Sequence, residues 1–234
     1  MKTMRTALGS LALGCLFAVS PLSATAITGT ANVSGNVVVT ATSATFNPAL
    51  TVPPGAMETG AFVGLTGATY NTTMLSGVGA VNIPDFISFS GGLTTPVLFD
   101  LTDILQGMQP QCTGSPSQSV CTPFVGGIAS PFTLTQLSTG VLVGFNVTGN
   151  AYTGSSASGT SLTSGIYSTQ VIVPGTITGI LQQLNAPGGS INSTYSATFT
   201  ATAAPTVPEP GSLLLLGMGL LGVGMFSRRR GAKS

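Results

Sequence analysis

The sequence predicts an all-β fold, a single antiparallel β-sandwich domain over residues 27–206. Apolar and polar residues alternate with a period of two in several segments, which is the pattern of strands with one buried face. Those segments are short, rich in β-branched and aromatic residues, and separated by Gly, Pro, Asn and Ser. No repeat of fixed period is present, which disfavours a solenoid or a propeller. Many short strands between turns are typical of a sandwich.

Three segments show the alternation most clearly, namely residues 141–148, 166–174 and 193–202. In the last of these, Tyr195, Ala197 and Phe199 alternate with serine and threonine. Weaker strands are expected over residues 36–44, 61–65, 86–90, 96–99 and 131–137. A short helix is expected over residues 177–184, and a further helical turn over residues 100–107. Residues 153–165, rich in Gly and Ser, are expected to form an exposed loop.

The first 26 residues have the three parts of a secretory signal peptide. Lys2 and Arg5 supply the positive charge, residues 7–19 form a short apolar core, and Ala24-Thr25-Ala26 is an A-x-A cleavage site. The expected mature chain therefore begins at Ile27. Two alternatives are weaker. Cys15 could mark a lipoprotein signal, but the residues before it are in the wrong order; a buried helix of the folded domain is also conceivable.

The charged residues are unevenly distributed along the chain. All 6 basic residues lie at the two ends, and no Lys, Arg or His lies between Arg5 and Arg228. The acidic residues are Glu58, Asp85, Asp100, Asp103 and Glu209. A domain without cations cannot neutralise phosphates, so we expect no nucleic-acid partner. It also has no electrostatic attraction for anionic lipid headgroups.

Two cysteines remain once the signal peptide is removed. Cys112 and Cys121 flank a segment of Ser, Thr, Gly, Pro and Gln, which suits a flexible loop. An even number of cysteines in an exported domain predicts a disulfide between them. A zinc site would need further ligands that are missing here, and the spacing is not C-x-x-C, which disfavours a redox motif.

The composition of the middle segment disfavours catalysis. Without His, Lys or Arg, a Ser-His-Asp triad, a Cys-His pair and a lysine nucleophile are all unavailable. A glycosidase needs only two carboxylates, yet it also needs aromatic platforms, and the chain has no Trp and 4 Tyr. We therefore expect neither enzymatic activity nor a cofactor.

Asp100 and Asp103 are the closest acidic pair along the chain. Carboxylate oxygens are ligands for Ca²⁺, so these two residues, with Asp85 as a third, are weak candidates for a calcium site. The stronger interpretation gives one aspartate to a turn and the other to a helix N-cap, since aspartate is favoured at both positions. The expectation is that no metal is bound.

The last 28 residues, 207–234, differ from the rest in composition. Pro208, Glu209 and Pro210 precede an apolar segment, and Arg228, Arg229 and Arg230 follow it. We expect a membrane helix over residues 212–227, with the arginines on the inner side. At 1.5 Å per residue this helix covers about 24 Å of a hydrocarbon core of about 30 Å. It is short for a permanent anchor.

Val207-Pro208-Glu209-Pro210, an apolar helix and an arginine cluster, in this order, resemble the PEP-CTERM sorting signal. The resemblance is confined to the tail. It implies recognition by an exosortase in the inner membrane of a Gram-negative bacterium that makes exopolysaccharide. It also implies cleavage near the motif and delivery to the cell surface or extracellular matrix. The implied partners are the exosortase, signal peptidase with the export translocon, the inner membrane before processing, and exopolysaccharide.

These observations favour an exported, non-enzymatic protein with a structural or adhesive role in an exopolysaccharide matrix. A carbohydrate- or calcium-dependent binding module is the first alternative, and a plain C-terminally membrane-anchored surface protein is the second. An enzyme that uses carboxylates alone would need two acids facing each other in a cleft.

Overall fold

The structure is a computed structural model that describes residues 26–125, 127–154 and 161–203, together with Met218. The predicted signal peptide, the central part of the 153–165 loop and the sorting tail, apart from Ala26 and Met218, lie outside the described residues. Among the residues described, strands predominate, with one short 3-10 helix and one α-helix. This confirms the predicted all-β class.

The strands are β1 (Gly29–Val39), β2 (Ser43–Phe46), β3 (Ala49–Thr51), β4 (Gly67–Tyr70), β5 (Met74–Ser76), β6 (Gly79–Gly91), β7 (Val97–Ile104), β8 (Val120–Cys121), β9 (Phe124–Val125), β10 (Ile128–Ala129), β11 (Thr133–Leu137), β12 (Gly140–Thr153), β13 (Ser161–Val171) and β14 (Ile191–Ala203). The α-helix, α1 (Ile177–Asn185), lies between β13 and β14, and the 3-10 helix (Gly60–Phe62) lies between β3 and β4.

All ladders between these strands are antiparallel, and the main sheet closes on itself. Its strands follow the order β13-β14-β1-β3-β4-β6-β7-β12, and β12 pairs again with β13. The ladder is thinnest between β1 and β3, where the register contains the single pair Ser34 and Thr51. Their hydroxyl oxygens lie 3.0 Å apart, which strengthens this contact. The two layers of the sandwich are therefore opposed parts of one continuous sheet.

Aromatic side chains fill the space between the two layers. Phe199 of β14 is fully buried, and its ring centroid lies 5.3 Å from Phe89 of β6 and 5.4 Å from Phe99 of β7. Tyr167 of β13 lies 5.6 Å from Phe199. These contacts join the β13–β14 layer to the β6–β7 layer, so the alternation read in residues 193–202 corresponds to the inward face of β14.

Two buried glycines make room for these rings. A Cβ at Gly149 would lie 1.9 Å from the Asp100 carbonyl oxygen and 2.6 Å from the Phe99 ring. A Cβ at Gly165 would lie 2.6 Å from the Phe199 ring. Because the interior is close-packed, a large side chain on one strand needs a small residue on the facing or neighbouring strand.

The strong strand predictions are confirmed in β12, β13 and β14, and the helix predicted over residues 177–184 is α1. Thr176 caps this helix, since its hydroxyl oxygen accepts a hydrogen bond of 3.1 Å from the Gly179 N–H. Two predictions are wrong, and a third is wrong in part, because residues 161–165 of the expected exposed loop belong to β13, with Ser161 and Thr163 buried. Residues 61–65 contain part of the 3-10 helix rather than a strand, and the side chain of Phe62 is buried. Residues 100–104 continue β7 rather than forming a helical turn.

The predicted disulfide is confirmed. Cys112 and Cys121 are bonded, with a sequence separation of 9 residues. The loop that they close contacts α1, because the Thr178 hydroxyl donates a hydrogen bond of 3.1 Å to the Gly114 carbonyl. The disulfide loop is thus fixed to the rest of the domain through the helix as well as through its own cysteines.

Candidate functional site

Two aspartates from neighbouring strands meet at a tyrosine of a third strand. Asp85 lies in β6, Asp100 in β7 and Tyr152 in β12, and these strands are adjacent in the sheet. The Tyr152 hydroxyl lies 2.5 Å from Asp85 Oδ1 and 3.1 Å from Asp100 Oδ1. The Asp85 N–H donates a further hydrogen bond of 2.7 Å to Asp100 Oδ1. The three residues form one hydrogen-bonded group, which we call the acid–tyrosine cluster.

An irregularity in β6 brings Asp85 to this position. The register of β6 against β7 shifts between Ile83 and Ile87. Pro84 lies within this interval and has no N–H for the ladder, which is why proline in sheets occurs at bulges and edges. Asp85 has a φ of 51°, in the left-handed region that aspartate tolerates better than most residues. Its carbonyl oxygen accepts a hydrogen bond of 2.6 Å from the Asn71 side-chain amide.

Tyr152 remains a hydrogen-bond donor in this environment. Burial raises the pKa of its phenol well above the usual range, and the hydrogen bonds to Asp85 and Asp100 raise it further. The neutral phenol can therefore hold both carboxylates without a cation. The cluster joins β6, β7 and β12 through hydrogen bonds. It supplies no activated nucleophile, because the phenol stays protonated.

These contacts bring together two of the three calcium candidates, Asp85 and Asp100, but not Asp103. Asp100 faces Asp85 and Tyr152, whereas Asp103 stands opposite Thr148 in the register with β12. The interpretation of this pair as a turn residue and a helix N-cap is wrong, since both aspartates belong to β7. Within the described ranges, no group of three or more His, Cys, Asp or Glu residues is placed to hold a metal ion.

We expect the substitution Tyr152→Phe to lower the free energy of unfolding by about 1–3 kcal/mol. The ring keeps its volume, but the carboxylate oxygens of two half-buried aspartates lose their shared donor. Urea unfolding followed by circular dichroism measures the change. The control is Thr69→Val, which removes an exposed hydroxyl of β4 and should change stability by less than about 0.5 kcal/mol. Equal stability of Tyr152→Phe and the wild type would show that the cluster does not hold the strands together.

The other three tyrosines form a hydrogen-bonded chain in the core. Tyr195 donates to Tyr70 at 2.8 Å between hydroxyl oxygens, and Tyr70 donates to Tyr167 at 3.1 Å. All three are buried. Burial raises the pKa of each phenol above its usual value, most strongly for Tyr70 and Tyr167. These groups stay protonated in the folded protein.

The outward face of β12, β13, β14 and β1 carries uncharged polar side chains. In β14 every second residue from Asn192 to Thr202 points away from the core and is a serine, a threonine or an asparagine. The neighbouring strands continue these positions in register. One row across the four strands consists of Thr148, Ser164, Thr200 and Thr30. We call this surface the hydroxyl face.

Part of this arrangement could be read from the sequence, and part could not. The alternation of residues 193–202 separates Ser196, Thr198 and Thr200 from the core residues and so indicates a polar outer face. Tyr152 was missed because its partners lie on β6 and β7, and no spacing along the chain connects Asp85 with Tyr152. The shift in register near Pro84 creates that contact.

The sorting motif Val207, Pro208, Glu209 and Pro210 and the arginines Arg228, Arg229 and Arg230 lie outside the described residues, as does Ala24 of the predicted cleavage site. Ala26 precedes β1 and is exposed. In the part of the chain that the structure describes, no helix has the length and hydropathy needed to cross a membrane.

Residues 206–230 match the family model of the PEP-CTERM protein-sorting motif. Comparison with curated proteins and with solved structures gave no match. The match covers the tail alone and agrees with the resemblance seen in the sequence. It supports an exported protein that an exosortase processes.

Proposed function

We propose that this chain is an exported, non-enzymatic protein that an exosortase sorts to the cell surface or extracellular matrix of a Gram-negative bacterium. There it has a structural or adhesive role in exopolysaccharide. The observation that carries the proposal is the PEP-CTERM motif at residues 206–230. The short apolar segment and the arginine cluster hold the precursor in the inner membrane until the tail is removed.

The domain in front of the tail supports a role without catalysis. Its carboxylates are Glu58, Asp85, Asp100 and Asp103, and it contains no Lys, Arg or His in the ranges described. Asp85 and Asp100 are bound to the Tyr152 phenol, and Asp103 stands apart from them. Asp85 and Asp100, the two carboxylates that the fold brings together, are both engaged in these hydrogen bonds, whereas the acid–base pair of a glycosidase exchanges protons with its substrate.

The experiment that tests sorting replaces Pro208, Glu209 and Pro210 together with alanine. In the native host we expect the wild-type protein to be released from the membrane fraction with a shortened C-terminus. The triple variant should keep its tail and remain in the inner membrane. Mass spectrometry of the C-terminal peptide and immunoblots of the fractions measure both properties.

The matched control is Pro205→Ala, which changes a proline just before the matched residues and should be sorted like the wild type. A wild-type protein that keeps residues 207–234 in the membrane would contradict sorting. That result would favour the alternative of a plain C-terminal anchor.

A further inference from the structure

We propose that the hydroxyl face of β12, β13, β14 and β1 binds a neutral polysaccharide along the direction of the strands. The inference deepens the proposed function, on which it rests for the presence of polysaccharide around the protein.

The hydroxyl face offers hydrogen-bonding groups in a regular array. Neighbouring residues in a row are about 4.8 Å apart across the strands, and successive rows are about 6.8 Å apart along them. A second row consists of Asn146, Ile166, Thr198 and Asn32, and a third contains Gly144, Ser168, Ser196 and Ser34. Hydroxyl and amide groups both donate and accept, which matches the hydroxyl groups of sugars.

Some of these groups are occupied within the domain and others are free for a ligand. The Thr198 hydroxyl donates to the Asn32 side chain at 2.9 Å. The hydroxyls of Thr148, Ser164 and Thr200, by contrast, make no side-chain hydrogen bond with any described residue, and Ser164 and Thr200 are exposed. These three residues form a row across β12, β13 and β14, near one end of the face.

Two shallow grooves lie at opposite ends of the hydroxyl face. One, of about 450 Å³, is lined by residues of β7, β12, β13 and β14, among them Thr148, Ser164 and Thr200. The other, of about 560 Å³, is lined by residues of β1, β2 and β14, including Asn36 and Thr194, and by Asn47, which follows β2. Neither lining contains an ionisable side chain. Each volume lies within the range of small-ligand clefts.

The separation of the grooves favours a polymer over a small molecule. Thr194 lines one groove and Thr200 the other, and both belong to β14. Six residues of a strand span about 20 Å. Ser196 and Thr198 lie between them on the same face, so an extended chain could follow β14 from one groove to the other and meet polar groups throughout.

Exposed aliphatic side chains complete the surface. Leu162 and Ile166 of β13 are 54% and 57% exposed, and they lie beside Thr202 and Thr198 in the register with β14. Sugar rings present both hydroxyls and apolar C–H groups. Val38 of β1 and Leu142 of β12, 38% and 36% exposed, are further aliphatic side chains at outward positions of this face. A face that mixes free hydroxyls with exposed aliphatic side chains fits both kinds of group.

Charge selects a neutral polymer over an anionic one. Asp100 and Asp103 of β7 stand opposite Asn150 and Thr148 at the edge of the hydroxyl face. No cation in the described ranges offsets them. An anionic polysaccharide or a nucleic acid would therefore be repelled at this edge, whereas an uncharged chain would not.

The test is affinity electrophoresis of the purified protein in gels that contain dextran, hydroxyethyl cellulose or galactomannan, with alginate as the anionic comparison. The variant combines Thr148→Val, Ser164→Ala and Thr200→Val, which remove hydroxyls at outward positions and suit a strand. We expect at least one neutral polymer to retard the wild type, and the variant to bind it at least tenfold more weakly. Alginate should have little effect.

The matched control combines Thr69→Val, Ser90→Ala and Thr95→Val, which remove the same number and kind of exposed hydroxyls away from the hydroxyl face. Equal melting temperatures of both triple variants and the wild type establish that the fold is kept. The proposal is overturned if none of the three neutral polymers retards the wild type. It is also overturned if both triple variants bind equally well, or if the protein binds alginate more strongly than the neutral polymers. A different result would assign the hydroxyl face to contact with a second copy of the protein. In that case the wild type and the control variant form dimers, the first triple variant does not, and no neutral polymer retards the wild type.

Because binding is measured on purified protein, its result is independent of sorting. A protein that keeps its tail in the membrane can be purified in detergent and tested in the same gels. Failed sorting with polysaccharide binding would contradict the proposed route to the matrix alone, and correct sorting without binding would contradict the hydroxyl face alone.

Discussion

The substitution Phe199→Ala is expected to lower the free energy of unfolding by about 3–5 kcal/mol, the usual cost of removing a buried phenylalanine. The Phe199 ring contacts Phe89, Phe99 and Tyr167, and so lies where the two layers meet. A loss of this size is a large part of the free energy of unfolding of a typical domain, which is about 5–15 kcal/mol. Urea unfolding followed by circular dichroism measures the loss.

The matched control is Phe124→Ala, the same change at a phenylalanine that is 38% exposed. This change should lower the free energy of unfolding by less than about 1 kcal/mol, because the Phe124 side chain buries less apolar surface than Phe199 does. Phe199→Leu, which retains most of the side-chain volume, should fall between the two. A similar cost for Phe199→Ala and Phe124→Ala would show that β14 does not pack against β6 and β7 as described.

Alkaline pH is expected to unfold the protein through its core tyrosines. Burial raises the pKa values of Tyr70, Tyr167 and Tyr195 above the ordinary value of a phenol, about 10. Their contribution to stability is complete below pH 10 and is lost as the pH rises from there toward the folded-state pKa values, because only the unfolded chain releases the phenolic protons. Tyr152, whose pKa burial also raises, adds a fourth group, and four such groups give a slope of about 5 kcal/mol per pH unit above pH 10.

The measurement follows tyrosinate absorbance and circular dichroism during the same base titration. We expect both signals to change together in one steep transition above pH 10. Tyr195→Phe, which removes the terminal hydroxyl of the chain of three, should make the transition less steep by about one quarter, since one of four such phenols is lost. Gradual formation of tyrosinate near pH 10 with unchanged circular dichroism would mean that the phenols are accessible in the folded protein.

The sequence predicted the strands whose two faces differ most in polarity. In β14 the alternation of Tyr195, Ala197 and Phe199 with hydroxyl residues follows directly from burial on one side only. The 3-10 helix that ends at Phe62 was missed because a short apolar run carries no clear period. The continuation of β7 through Asp103 was missed because aspartate is common in turns and helix caps, and tertiary pairing outweighed that local preference.

Pairings between distant strands could not be read from the chain. Nothing in the spacing of residues indicates that β12 pairs with both β7 and β13, since pairing depends on the twist of the whole sheet. The acid–tyrosine cluster depends on the same long-range pairing. The sorting motif, by contrast, is a linear signal, and the sequence alone was sufficient to find Pro208, Glu209 and Pro210.

The second pairing of β12 also affects how copies of the domain meet one another. A strand with an unpaired edge can recruit another chain, and most proteins limit this with charged side chains or by closing the sheet. This domain has no lysine or arginine in the described ranges to place at an edge. Its main sheet is instead continuous, and short strands such as β5 and β8 end the ladders that branch from it. Closure of the sheet gives a nearly uncharged protein resistance to edge-to-edge aggregation that charge does not supply.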